Sequence, residues 1–165
     1  MNISLKILPL IIFSALISTT VFSQTYTNFT TNDISGNEIT LDSLLKKGPV
    51  FLSFWSTWNE PSKKAMKFLQ PLYEKYKDHG FTFLAVSEDN QKSAFQVEPF
   101  INSHRYTFPV ILDTDRAILD AYKVSEMPYS LLINPNHEFV SVYTGFQHGD
   151  DKKIEEEIGN LFLKR

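Results

Sequence analysis

From Pro49 to Trp55 the chain reads Pro-Val-Phe-Leu-Ser-Phe-Trp, and from Asn59 to His79 its apolar residues recur at intervals of three and four. A nearly continuous apolar run of strand length suits a central strand covered on both faces. Met66, Leu69, Leu72, Tyr73 and Tyr76 then form the stripe of a long amphipathic helix, with Gly80 as its stop. A buried strand that runs directly into such a helix opens an alternation of strands and helices.

The remaining segments extend this pattern. Phe29, Ile34, Ile39 and Leu41 flank the turn signal Ser35-Gly36-Asn37-Glu38, so a short hairpin precedes the first buried strand. Asp42 is placed to cap a helical turn through Leu44 and Leu45. Phe81 to Ser87 reads as a second apolar strand, and Gln91 to Arg105 as a helix that Pro99 interrupts. Thr107 to Leu112 is extended, and Asp113-Thr114-Asp115 caps a helix through Ile118 and Tyr122. Tyr129 to Ile133 and Glu138 to Tyr143 form a hairpin around Asn134-Pro135-Asn136-His137, and Ile154, Ile158, Leu161 and Phe162 mark a last helix. The expected architecture is α/β: a central mixed sheet with helices on both faces and an N-terminal hairpin extension.

Met1 to Ser23 stand apart from this fold. Lys6 gives a weakly basic start, Ile7 to Ile17 are mostly apolar, and Val21-Phe22-Ser23 suits signal-peptidase cleavage. An apolar stretch of 11 residues is too short for an uncleaved anchor, which needs about 20. The expected organisation is a signal peptide over 1–23 and one domain over 24–165, exported to the periplasm or secreted, with no membrane span after cleavage. Removing Lys6 with the signal leaves a net charge of −4. That balance argues against nucleic acid, whose binding depends on Lys and Arg neutralising phosphates. The chain has no cysteine, which removes thiol catalysis, thiolate metal sites, disulfides and a lipoprotein anchor. His79, His104, His137 and His148 show no metal-binding spacing, no phosphate loop or Gly-x-Ser-x-Gly turn occurs, and neither metal nor cofactor is expected.

Trp55-Ser56-Thr57-Trp58-Asn59-Glu60-Pro61-Ser62-Lys63-Lys64 lies where the buried strand turns into the long helix. This segment resembles the active-site turn of the thioredoxin-like TlpA/ResA-type (redoxin, AhpC/TSA-like) thiol-disulfide oxidoreductases, whose motif is Trp-Cys-x-x-Cys-Lys-Lys. Phe108 to Arg116, Leu119 to Tyr122, Val124-Ser125, Pro128 and Leu132 to Pro135 are similar to segments of the same family, so the resemblance runs from about Phe29 to Phe162. It implies a thioredoxin-like fold, and a cis peptide bond at Met127-Pro128 facing the turn. It also implies an edge beside Pro128 that pairs with an extended peptide of an envelope protein.

The family's chemistry does not carry over. Its nucleophilic cysteine matches Asn59, its resolving cysteine Ser62, and the carboxylate three residues later Ala65. Disulfide exchange requires a thiolate, so the resemblance implies a redox-inactive protein whose binding residues are Trp58, Asn59, Glu60, Pro61, Met127, Pro128 and Tyr129. Asn59 also reads simply as the N-cap of the helix, with Glu60 and Pro61 in the first turn. Trp58 and Tyr129 read equally as packing residues. The alternative function is a non-thiol enzyme of the same ancestry using the same cleft, with Glu60 as acid or base. Glu88-Asp89 and Asp113-Thr114-Asp115 are expected to be caps with ordinary acidity.

Overall fold

The computed structural model describes residues 26–163; the expected signal peptide lies outside the described residues. A two-stranded hairpin, β1 (Thr30–Asn32) and β2 (Glu38–Thr40), opens the fold. Its turn is closed by Asp33, whose carboxylate accepts the amides of Ser35 at 2.9 Å and Asn37 at 2.8 Å, and by Gly36 at φ +84°.

Helix α1 (Leu41–Leu45) follows, but Asp42 does not cap it. Thr40 occupies the N-cap position without a side-chain bond, and the exposed amide of Asp42 donates instead to Asn28 Oδ1 at 3.0 Å. The Asp42 carboxylate is engaged by the Tyr26 hydroxyl.

Strand β3 (Val50–Trp55) is buried at every position, because it is central in a five-stranded sheet of order β5-β4-β3-β6-β7. β4 (Thr82–Ser87) and β5 (Val110–Leu112) run parallel to it, whereas β6 (Tyr129–Ile133) and β7 (Phe139–Thr144) form the antiparallel hairpin on its other side. Alternation along the strands divides the core in two. Phe51, Phe83 and Ala85 face Met66 and Leu69 of α2 (Glu60–Tyr76), Val97 and Ile101 of α3 (Val97–His104), and Ile154 and Ile158 of α5 (Asp150–Leu163). Leu52, Phe54, Leu84 and Val86 face Leu41 and Leu45 of α1 and Ile118 and Leu119 of α4 (Ala117–Ala121). The mixed sheet with helices on both faces is therefore the observed fold.

One boundary differs from the sequence reading. The segment before Pro99 is a 3-10 turn (Ala94–Gln96), and α3 starts at Val97. Pro99 thus lies in the first helical turn, where its missing N–H has no intrahelical partner to lose, and it interrupts nothing. Asp113 does cap α4 as expected: its carboxylate accepts the amides of Ile118 at 3.1 Å and Leu119 at 2.8 Å.

Candidate functional site

The turn between β3 and α2 is held by its own polar side chains. Asn59 is extended (φ −96°, ψ 106°) and caps α2. Its Oδ1 accepts the amide of Ser62 at 2.8 Å and the hydroxyl of Ser62 at 2.7 Å. The two positions that the resemblance assigns to cysteine are thus in side-chain contact through an acceptor and a donor, which satisfies one of the free amides of the helix start. Ser62 and Ala65 are buried, and Ala65 packs in the core layer with Trp55 and Met66. Glu60 and Pro61 are exposed, and the Glu60 carboxylate pairs with Lys63 one turn along the helix.

Across from the turn, the Met127–Pro128 peptide bond is cis. The Asn59 side-chain amide donates to the Met127 carbonyl at 3.4 Å, so the helix cap and the residue before Pro128 meet. The Pro128 carbonyl accepts the Gly145 amide at 2.7 Å, and Ser130 bonds Ser53 across β3 and β6 at 2.8 Å. Tyr129 is half-buried with its ring 6.4 Å from Phe54, and this burial pushes the pKa of its hydroxyl above the usual tyrosine value. Trp58, by contrast, is 60% exposed. Asn59, Met127 and Pro128 converge, with exposed Trp58 and Glu60 on the same turn.

The acids after β4 are not the caps expected. The Asp89 carboxylate grips the turn, accepting from the Thr57 amide at 2.8 Å, the Thr57 hydroxyl at 2.6 Å and the Ser87 hydroxyl at 2.9 Å. Glu88 is buried, and burial together with the negative charge of Asp113 pushes its carboxyl up to about 8. Asp113 is also raised, by burial, against the two helix amides that lower it. Thr57, Glu88 and Asp89 were missed as site residues. The signal available was their place: paired acids at the carboxyl end of a central parallel strand, where α/β sheets build their sites.

Chemically, the turn offers an amide, a hydroxyl and an exposed indole, and no thiol. Among the described residues no cluster of three or more His, Asp or Glu side chains could hold a metal ion. A parallel β3-α2-β4 unit, an antiparallel β6-β7 hairpin, a capped helix start and a cis proline facing it define a thioredoxin-like protein.

The chain belongs to the AhpC/TSA family, which it matches over residues 23–142. It is 45% identical over 118 residues to the thiol-disulfide oxidoreductase ResA of Bacillus subtilis (strain 168), covering 72% of this chain and 64% of that relative's length. It is 35% identical over 134 residues to the thiol-disulfide oxidoreductase ResA of Halalkalibacterium halodurans, covering 81% of this chain and 73% of the relative. Among solved structures, StoA from Bacillus subtilis has a similar fold, with a TM-score of 0.69, 24% identity, and coverage of 82% of this chain and 98% of its own. So does a thioredoxin family thiol:disulfide interchange protein from Chlorobium tepidum TLS, with a TM-score of 0.70, 16% identity, and coverage of 81% and 92%.

Proposed function

We propose that this chain is a redox-inactive ResA-type thioredoxin-like protein that binds an extended peptide segment of an envelope protein at the face formed by Trp58, Asn59, Glu60, Pro61, Met127, Pro128 and Tyr129. One observation carries the reading: Asn59 and Ser62 bond each other where disulfide exchange would need two sulfurs, while the surrounding face is built. Neither a hydroxyl nor an amide replaces a thiolate in that exchange, because the reaction consists of thiolate attack on sulfur. The exposed Trp58 supplies a flat apolar surface of the kind that anchors peptides, and backbone beside Pro128 supplies strand-like pairing. Export under a signal at residues 1–23 to the periplasm or beyond belongs to the same proposal. No helix among the described residues is long and apolar enough to cross a membrane.

The test is a peptide array made from exported proteins. Wild type is expected to retain a subset of extended peptides, and a Trp58→Ala, Tyr129→Ala variant with an unchanged circular dichroism spectrum is expected to lose them. A wild type that retains none, or a variant that retains all of them, overturns the binding role.

A further inference from the structure

The two residues that follow β4 point in opposite directions. Asp89 bonds the turn, whereas Glu88 is 6% exposed and neither of its carboxylate oxygens has a hydrogen-bond partner among the described residues. Strand register shows what surrounds it. Ser87 stands opposite Trp55 of β3 and Leu112 of β5. One step further, Glu88 falls beside Ser56 and Asp113, at the carboxyl ends of three parallel strands. Leu84 and Val86, the preceding alternate residues of β4, face the α1 and α4 layer, and Glu88 continues that row. Ser56 Oγ is likewise buried without a partner.

The charged groups facing Glu88 are Asp113 at the end of β5, Arg116 and Asp120 of the α4 segment, and Asp89 beside it. Three carboxylates therefore oppose one guanidinium, and no donor among the described residues, the neighbouring Ser56 hydroxyl included, hydrogen-bonds the Glu88 carboxylate. A protonated carboxyl is tolerable there; an ionised one has only the Arg116 guanidinium in its favour against three carboxylates and is driven toward water. The backbone of the same segment secures the turn. The Glu88 amide donates to the Trp55 carbonyl at 2.8 Å, and Asp89 holds Thr57 by its amide and hydroxyl. Movement of Glu88 outward pulls on the bonds that precede Trp58.

We propose that Glu88 is a proton-operated latch on the Trp58 turn: its protonated side chain keeps Ser87, Glu88 and Asp89 seated so that the turn presents its face, and ionisation expels the side chain and frees the turn. The latch takes its purpose from the binding role proposed above, but its test does not need a peptide. Trp55 and Trp58 are the chain's two tryptophans, and both flank the moving segment. Their emission maximum and acrylamide quenching are measured from about pH 6 to about pH 9.5, the range that spans the proton release. Wild type is expected to show one transition with a midpoint near about 8, accompanied by faster hydrogen exchange of the Thr57 amide. Glu88→Gln, which keeps the shape of the protonated acid, is expected to stay flat across the range. A flat wild-type titration, or a transition that survives in Glu88→Gln, overturns the latch. Peptide retention is measured separately, so a transition without retention keeps the latch and overturns only the binding role.

Discussion

Asn59 and Glu88 lie at opposite ends of what a sequence shows at the scale of single residues. Asn before Glu-Pro is a recognisable helix start, and Asn59 bonds the Ser62 amide and hydroxyl as a cap does. Asn59→Ala is therefore expected to cost about 1 kcal/mol, read as a lowered denaturant midpoint with an unchanged slope. Glu88 was illegible because two adjacent acids at a strand end look alike in sequence, while strand alternation sends Asp89 to the turn and Glu88 into the core. With its carboxyl raised from an ordinary 4.5 to about 8, folded protein keeps a proton that the unfolded chain releases. Stability is therefore expected to fall as pH rises from near 4.5 and to level off above about 8, with a slope on the order of 1.4 kcal/mol per pH unit. Glu88→Gln should remove that part of the slope and be the more stable protein at pH 8. Equal pH dependence of wild type and variant in denaturant titrations would contradict this.

At the scale of elements, the loops that launch β3 and β4 approach each other backbone to backbone at Gly48 and Gly80. Gly80 adopts φ +96°, and a Cβ there would lie 2.2 Å from the Lys47 carbonyl oxygen; a Cβ on Gly48 would lie 2.4 Å from the Gly80 oxygen. Both contacts are with backbone, so no side chain can move aside. Gly80 was legible as a helix stop, but the partner glycine across the loop was not, since the contact exists only once β3 and β4 pair in parallel. Gly80→Ala combines a left-handed conformation with a clash and is expected to cost about 2 kcal/mol or more. Thermal denaturation checks it, and a wild-type melting temperature would mean that the two loops are not in contact. Pro71 teaches a related lesson: α2 continues through it, with Leu69 and Leu72 buried on either side, so packing outweighs a local break.

Across the whole molecule, the order of strands and helices was readable because the patterns are strong: β3 and β4 are mostly apolar and wholly buried, and α2 carries one clear stripe. Boundaries that depend on tertiary partners were less legible. Asn28, distant in sequence, accepts the Asp42 amide, and Thr40 rather than Asp42 stands at the start of α1, while α3 begins late enough to accommodate Pro99. The site was half legible. Asn59 and Ser62 stand at the helix start where the resemblance places them, but the acids beneath the turn emerge only from the sheet register. What results is a thioredoxin-like frame in which Asn59 and Ser62 bond each other at the start of α2.

The most direct measurement compares insulin reduction by wild type with that by an Asn59→Cys, Ser62→Cys variant. The side chains at these positions already touch, 2.7 Å apart through Oδ1 and Oγ, so the two new thiols are expected to form a disulfide under mild oxidation. Wild type is expected to reduce insulin no faster than buffer with dithiol. The double variant should exceed it, though slowly, since Ala65 supplies no carboxylate to handle the proton. Insulin reduction by wild type above the buffer rate, or a folded double variant whose thiols remain free, would contradict the account.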